Sequence, residues 1–103
     1  MSYFIGQETV YFRDQPVRSM VYSGGVPEEY DLEFTKSIYV FLRKAKRSIT
    51  VENPFRGPKE FIENYFIYQN NSQGDMDQFT GEECIIFNNK EVYHLSYSGG
   101  FIR

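Results

Sequence analysis

The chain has 103 residues, a net charge of −3 and a pI near 5.1. This length makes residues 1–103 a single domain, large enough to bury a core without metals or disulfides. The acidic balance argues against a nucleic-acid partner, no apolar run is long enough to span a bilayer, and the opening MSYFIGQE is not a secretory signal. Ten Phe, nine Tyr and no Trp predict a core of rings, with tyrosines at half-buried sheet positions where the hydroxyl reaches a polar partner. Cys84 is the one cysteine, which excludes an internal disulfide and points to a reducing, cytoplasmic setting.

Tyr3 to Phe12 is rich in aromatic and β-branched residues and reads as a strand. Asp14 and Gln15, followed by Pro16, supply a turn; Val17 to Tyr22 returns as the second arm of a hairpin, which Ser23-Gly24-Gly25 ends. A helix follows, opened by Pro27 at its first position or capped a turn later by Asp31. Its apolar stripe is Tyr30, Phe34, Ile38, Phe41, Leu42, Ala45 and Ile49. Acidic Glu28, Glu29, Asp31 and Glu33 stand near its start and Arg43, Lys44, Lys46 and Arg47 near its end, the order the helix dipole favours. Residues 50–58 form a connection broken by Asn53-Pro54 and Gly57-Pro58. Lys59 to Glu63 is read as a short helical turn, Asn64 to Gln69 as a strand, and Asn70 to Asp75 as a polar turn. A second hairpin begins near Met76, with Asn88-Asn89-Lys90 as its turn.

The second hairpin resembles the first. Phe4, Gly6, Glu8, Phe12, Val17, Tyr22, Ser23, Gly24 and Gly25 recur, without a gap, as Phe79, Gly81, Glu83, Phe87, Val92, Tyr97, Ser98, Gly99 and Gly100. We read residues 4–25 and 79–100 as an internal repeat with an offset of 75 positions. The expected fold is α+β: an antiparallel sheet of about five strands in the order β-β-α-β-β-β, with the amphipathic helix packed across one face. The first hairpin has no preceding strand, and an exposed edge rich in Tyr and Phe predicts a homodimer that covers it.

The motif Phe4-x-Gly6-Gln7-Glu8, a turn, then Pro16-Val17-x-x-Met20-x-Tyr22-x-Gly24 resembles a family of uncharacterised bacterial domains. These are found alone or behind helix-turn-helix regulators of the phage-repressor type. The helix Phe34 to Arg47 and the later PFRGPKEF and GEE…VY segments extend the resemblance over most of the chain. The family often carries Trp where this chain has Arg18, and a strand before the first motif. The resemblance implies no catalytic residues, and without a helix-turn-helix here it implies no DNA binding.

Few residues point to chemistry. His94 is the single histidine, with no second histidine to share a metal, and Cys84 lacks a nucleophile's pattern around it; no metal site or cofactor is implied. Ser23-Gly24-Gly25 ahead of a helix invites a phosphate cradle, but Ser98-Gly99-Gly100 is the same tripeptide with no helix after it. The informative pair is Glu8 and Glu83. Each shares a strand face with apolar residues, so each is expected to be at least half buried and hydrogen-bonded, with Tyr22 and Tyr97 as candidate partners. Glu8, Tyr22, Glu83 and Tyr97 are therefore the candidate ligand-binding residues. The reading is a non-enzymatic binding or sensory module for a small ligand or protein partner. The alternatives are a small enzyme using Glu8 and Glu83 as acid and base, and a purely structural interaction domain.

Overall fold

The computed structural model describes residues 2–47, 58–75 and 77–102. The elements are β1 (Ser2–Phe12), β2 (Gln15–Val26), α1 (Leu32–Lys46), β3 (Glu60–Glu63), β4 (Phe66–Gly74), β5 (Gln78–Phe87) and β6 (Lys90–Phe101). They form one antiparallel six-stranded sheet in the order β1-β2-β6-β5-β4-β3, with a single helix among the described residues.

The sheet thus has six strands rather than about five. The extra one is β3, at residues read from sequence as a helical turn. Four residues are too few for a stable helix, whereas alternation turns Phe61 and Glu63 inward. Phe61 then packs on Phe41 of α1 with ring centroids 5.7 Å apart. Asn64, at φ 55°, makes the turn into β4, so the strand expected from Asn64 begins at Phe66. The polar stretch from Asn70 continues β4 to Gly74; the turn comes after it, where Asp75 Oδ1 accepts from the Asp77 and Gln78 N–H groups.

Both long hairpins are built alike. Gly6 pairs with Tyr22 and Gly81 with Tyr97. A bulge falls between Val10 and Tyr11 in one and between Ile85 and Ile86 in the other. The turns are two-residue loops with both residues left-handed: Arg13 and Asp14 (φ 50° and 65°), Asn88 and Asn89 (φ 50° and 63°). The first turn therefore lies one residue earlier than the Asp14-Gln15-Pro16 expected, because twisted strands favour this tight loop. Each feature of β1–β2 has its counterpart 75 positions on in β5–β6.

The hairpins meet along β2 and β6, where Tyr22 pairs with Tyr97, its own counterpart. A local twofold axis normal to the sheet passes between them. Ser23-Gly24-Gly25 does not end β2, which runs on to Val26. A Cβ on Gly24 would lie 2.2 Å from the His94 carbonyl oxygen, and one on Gly99 2.4 Å from that of Ser19. Glycine in both tripeptides lets the central strands approach closely. The helix starts only at Leu32, so the tripeptide does not cradle a group at its N-terminus.

Asp31 caps α1, its Oδ1 accepting the Phe34 N–H at 2.8 Å. Pro27 lies outside the helix, as does Tyr30, and Ile49 falls outside the described residues. Ile38, Phe41, Leu42 and Ala45 are buried, and the three larger ones contribute roughly 5–9 kcal/mol of gross apolar stabilisation. Phe34 packs on Phe87 and Phe66, while Tyr39 meets Tyr93 and Phe4. The helix therefore covers the turn end of the second hairpin. The matching end of the first hairpin is left open: Ile85 is 0% exposed and its counterpart Val10 is 43% exposed.

Candidate functional site

The inward face of β4, β5 and β6 holds a closed polar cluster. Glu83 is fully buried, yet both its oxygens are satisfied. Tyr68 Oη donates to Oε2 at 2.5 Å and Tyr93 Oη donates to Oε1 at 2.7 Å. These tyrosines reach it from the two flanking strands: Tyr68 and Tyr93 both stand opposite Ile85, one residue pair along from Glu83 on its own face. A buried carboxylate is costly unless its lone pairs are met, and here neutral hydroxyls meet them.

Tyr97 serves a second bond. Opposite it lies Gly81, where an added Cβ would meet the tyrosine ring at 2.2 Å. The ring crosses β5 over this glycine, and its hydroxyl donates to buried Asn70 Oδ1 on β4 at 2.7 Å. Tyr22 lies over Gly6 in the same manner, with an added Cβ 2.4 Å from its Oη. Phe4–Tyr22 and Phe79–Tyr97 are matched ring contacts at 6.0 and 6.2 Å.

The expectation of half-buried, tyrosine-bonded glutamates therefore holds for Glu83, with Tyr68 and Tyr93 as donors in place of Tyr97. It does not hold for Glu8, which is exposed. The reason lies in the neighbours. Arg18 stands opposite Val10, where the other hairpin places Tyr93 opposite Ile85. β1 is a sheet edge, so no described strand occupies the place that β4, with Tyr68, takes beside β5. Glu8 shares a row with Met20, Gly99 and Phe79, and Glu83 lies four residues beyond Phe79. Strand spacing and rise put the two acids roughly 20 Å apart, too far to act on one bond as acid and base. Of the four candidate residues the structure brings Tyr22 and Tyr97 together, opposite each other on β2 and β6 and both lining one shallow cleft, while Glu8 and Glu83 lie apart from each other and outside that lining.

Sequence reasoning missed Tyr68, Asn70 and Tyr93. A signal for the first two is present, since Phe66, Tyr68 and Asn70 alternate with period two; the strand expected over Asn64 to Gln69 contains Tyr68, but its end at Gln69 leaves Asn70 off the row.

The helix-free face carries other groups. Cys84 stands directly opposite His94, whose Nε2 lies 3.5 Å from Glu82 Oε1. The arrangement lists the parts of a thiol nucleophile but has the wrong electrostatics. Burial pushes the Cys84 thiol pKa up, and the charges of Glu91, Glu82 and Glu83 push it further. The thiol donates instead to Gln69 Oε1 at 3.8 Å. Nearby, a shallow cleft of about 690 Å³ is lined by Ile5, Ser23, Thr80, Glu82 and Ser96, without a buried charged group in it. Among the described residues, no three His, Cys, Asp or Glu side chains come together to hold a metal, and no helix is long and apolar enough to cross a membrane.

A family model described as "Domain of unknown function (DUF5680)" matches residues 1–102. No curated protein and no solved structure matches the chain.

Proposed function

The chain belongs to the DUF5680 family, and from that premise we propose that it is a non-enzymatic protein-interaction module that captures an extended segment of a partner along the outer edge of β1. The observation that carries this reading is the contrast between the two edges of the sheet. β3 is four residues long and bears Glu60 and Glu63, the short and charged edge that discourages pairing. β1 is eleven residues long, carries no Lys or Pro, and exposes Ile5 (78%), Tyr11 (63%) and Phe12 (51%). An edge so long and apolar is retained where it is used.

Glu8 and Tyr22 are the contact residues of this edge; Glu83 and Tyr97 are their counterparts beneath β4. We read the two hairpins as the halves of an internal repeat; among the described residues a strand lies along the outer edge of β5 and none along that of β1. We place the module in the cytoplasm, and the domains it resembles, found alone or behind helix-turn-helix regulators, are of a kind that could receive a protein signal. A second copy of the chain, giving a homodimer, is the competing occupant.

Hydrogen exchange with sedimentation velocity tests the reading. In the monomer, the β1 amides that face away from β2 should exchange quickly while those of β5 stay protected. If all β1 amides are as protected as those of β5 in a monomeric sample, the edge is already covered and the reading fails. Protection that grows together with a dimer boundary identifies the second copy as the occupant.

A further inference from the structure

The edge of β1 is not generic. Its inward residues Phe4, Gly6, Glu8, Val10 and Phe12 repeat the row Phe79, Gly81, Glu83, Ile85 and Phe87 with which β5 receives β4. Resting on the strand-capture reading above, we infer that β1 takes an antiparallel strand presenting a tyrosine opposite Val10 and an asparagine opposite Glu8, the chemistry with which β4 covers β5.

The chain supplies the template. On β5, Tyr68 stands opposite Ile85 and donates to Glu83, while Asn70 stands opposite Glu83 and accepts from Tyr97. Shifted by 75 positions, the same two side chains face Val10 and Glu8 and lie within reach of the Glu8 carboxylate and the Tyr22 hydroxyl. Both ring contacts and both glycine platforms that aim the tyrosines are matched in the two hairpins. The bulge beside Val10 is no obstacle, because β4 pairs straight across the equivalent bulge, with Ile67 opposite Ile86 and Phe66 opposite Phe87.

The bland account is that these residues serve only their own hairpin. It explains Gly6, which Tyr22 overlies, and Phe4, which packs on Tyr22 and Tyr39. It does not explain Val10 and Phe12, about half exposed, or an acid kept between them and Phe4. In the other hairpin those positions are the ones that β4 and α1 bury. The first hairpin differs at Arg18, which stands where Tyr93 donates to Glu83, so there the incoming tyrosine supplies the neutral hydroxyl.

The test uses the intact chain and a fluorescently labelled synthetic peptide with the sequence of residues 66–74, FIYQNNSQG. Anisotropy should show saturable binding, and hydrogen exchange should place new protection on β1. Replacing the peptide tyrosine by phenylalanine should weaken binding about tenfold, the loss of one hydrogen bond to a charged group. In Glu8→Ala protein the same replacement should change little, since its partner is gone. A peptide with valine at the positions of both Tyr68 and Asn70 separates strand capture from the inferred side-chain chemistry. If it binds as tightly as the parent, strand capture stands and the inferred chemistry is wrong. If no peptide binds and β1 exchange is unchanged, both are wrong. A dimer that the parent peptide does not dissociate assigns the edge to a second copy and overturns the inference.

Discussion

Replacing Glu83 probes the buried cluster most directly. In Glu83→Ala, the Tyr68 and Tyr93 hydroxyls lose their acceptor in a region where Glu83, Tyr68 and Tyr93 are all essentially inaccessible to water. Each stranded hydroxyl costs about 1–3 kcal/mol, and the vacated space adds a cavity term of about 1 kcal/mol. The expected loss is therefore about 3–7 kcal/mol, a large fraction of the stability of a domain this size. Glu83→Gln keeps one acceptor oxygen but turns an amide N–H₂ toward the other tyrosine, and should cost about 1–2 kcal/mol. Glu8→Ala is the internal control. Its side chain is exposed, so its loss should fall within about 0.5 kcal/mol of zero. Urea unfolding followed by circular dichroism measures all three, and a thermal shift of about 4–8 °C per kcal/mol is an independent readout. A Glu83→Ala midpoint equal to that of Glu8→Ala would show that the buried hydrogen bonds contribute nothing net, and the account of the cluster would fall.

Further outcomes follow from single contacts. Gly24→Ala should be more destabilising than Gly6→Ala in the same assay, because its Cβ meets the His94 backbone at 2.2 Å, whereas the Gly6 Cβ meets the far end of the Tyr22 side chain. Asp31→Ala should cost about 1 kcal/mol through loss of the cap to Phe34, and Asp31→Asn should retain most of it. Cys84 should be alkylated by iodoacetamide more slowly than a free thiol at pH 8, because its raised pKa lowers the thiolate fraction; equal rates in the folded protein would contradict the burial and charge assigned to it. The same shift has a consequence for stability: with the folded pKa above the ordinary value of 9.0, the contribution of Cys84 is full below that value and lost as pH rises through the folded pKa, a loss absent from Cys84→Ser.

The hairpins, their equivalence and the capped helix were legible in the sequence because their signals are local. Alternation, glycine placement and an N-cap act within a few residues, and they recur 75 positions apart in the same backbone geometry. Boundaries slipped where local polarity misled: Asn70 looks like turn material, yet it is buried on β4 because Tyr97 reaches over Gly81 to donate to it. β3 was hidden for a related reason, since four residues make a strand only when β4 lies alongside. The fates of Glu8 and Glu83 were decided by tertiary structure alone. Both sit between matching apolar neighbours on their own strands, and the one difference along the chain, Arg18 in place of Tyr93, gains its meaning only once register sets it across from Val10. What separates them is Tyr68, fifteen residues from Glu83 in sequence and brought in on β4, together with a helix that covers one hairpin end and leaves its counterpart open. Burial of a carboxylate depends on donors that only the neighbouring strands supply, and those neighbours come from the order of strands in the sheet.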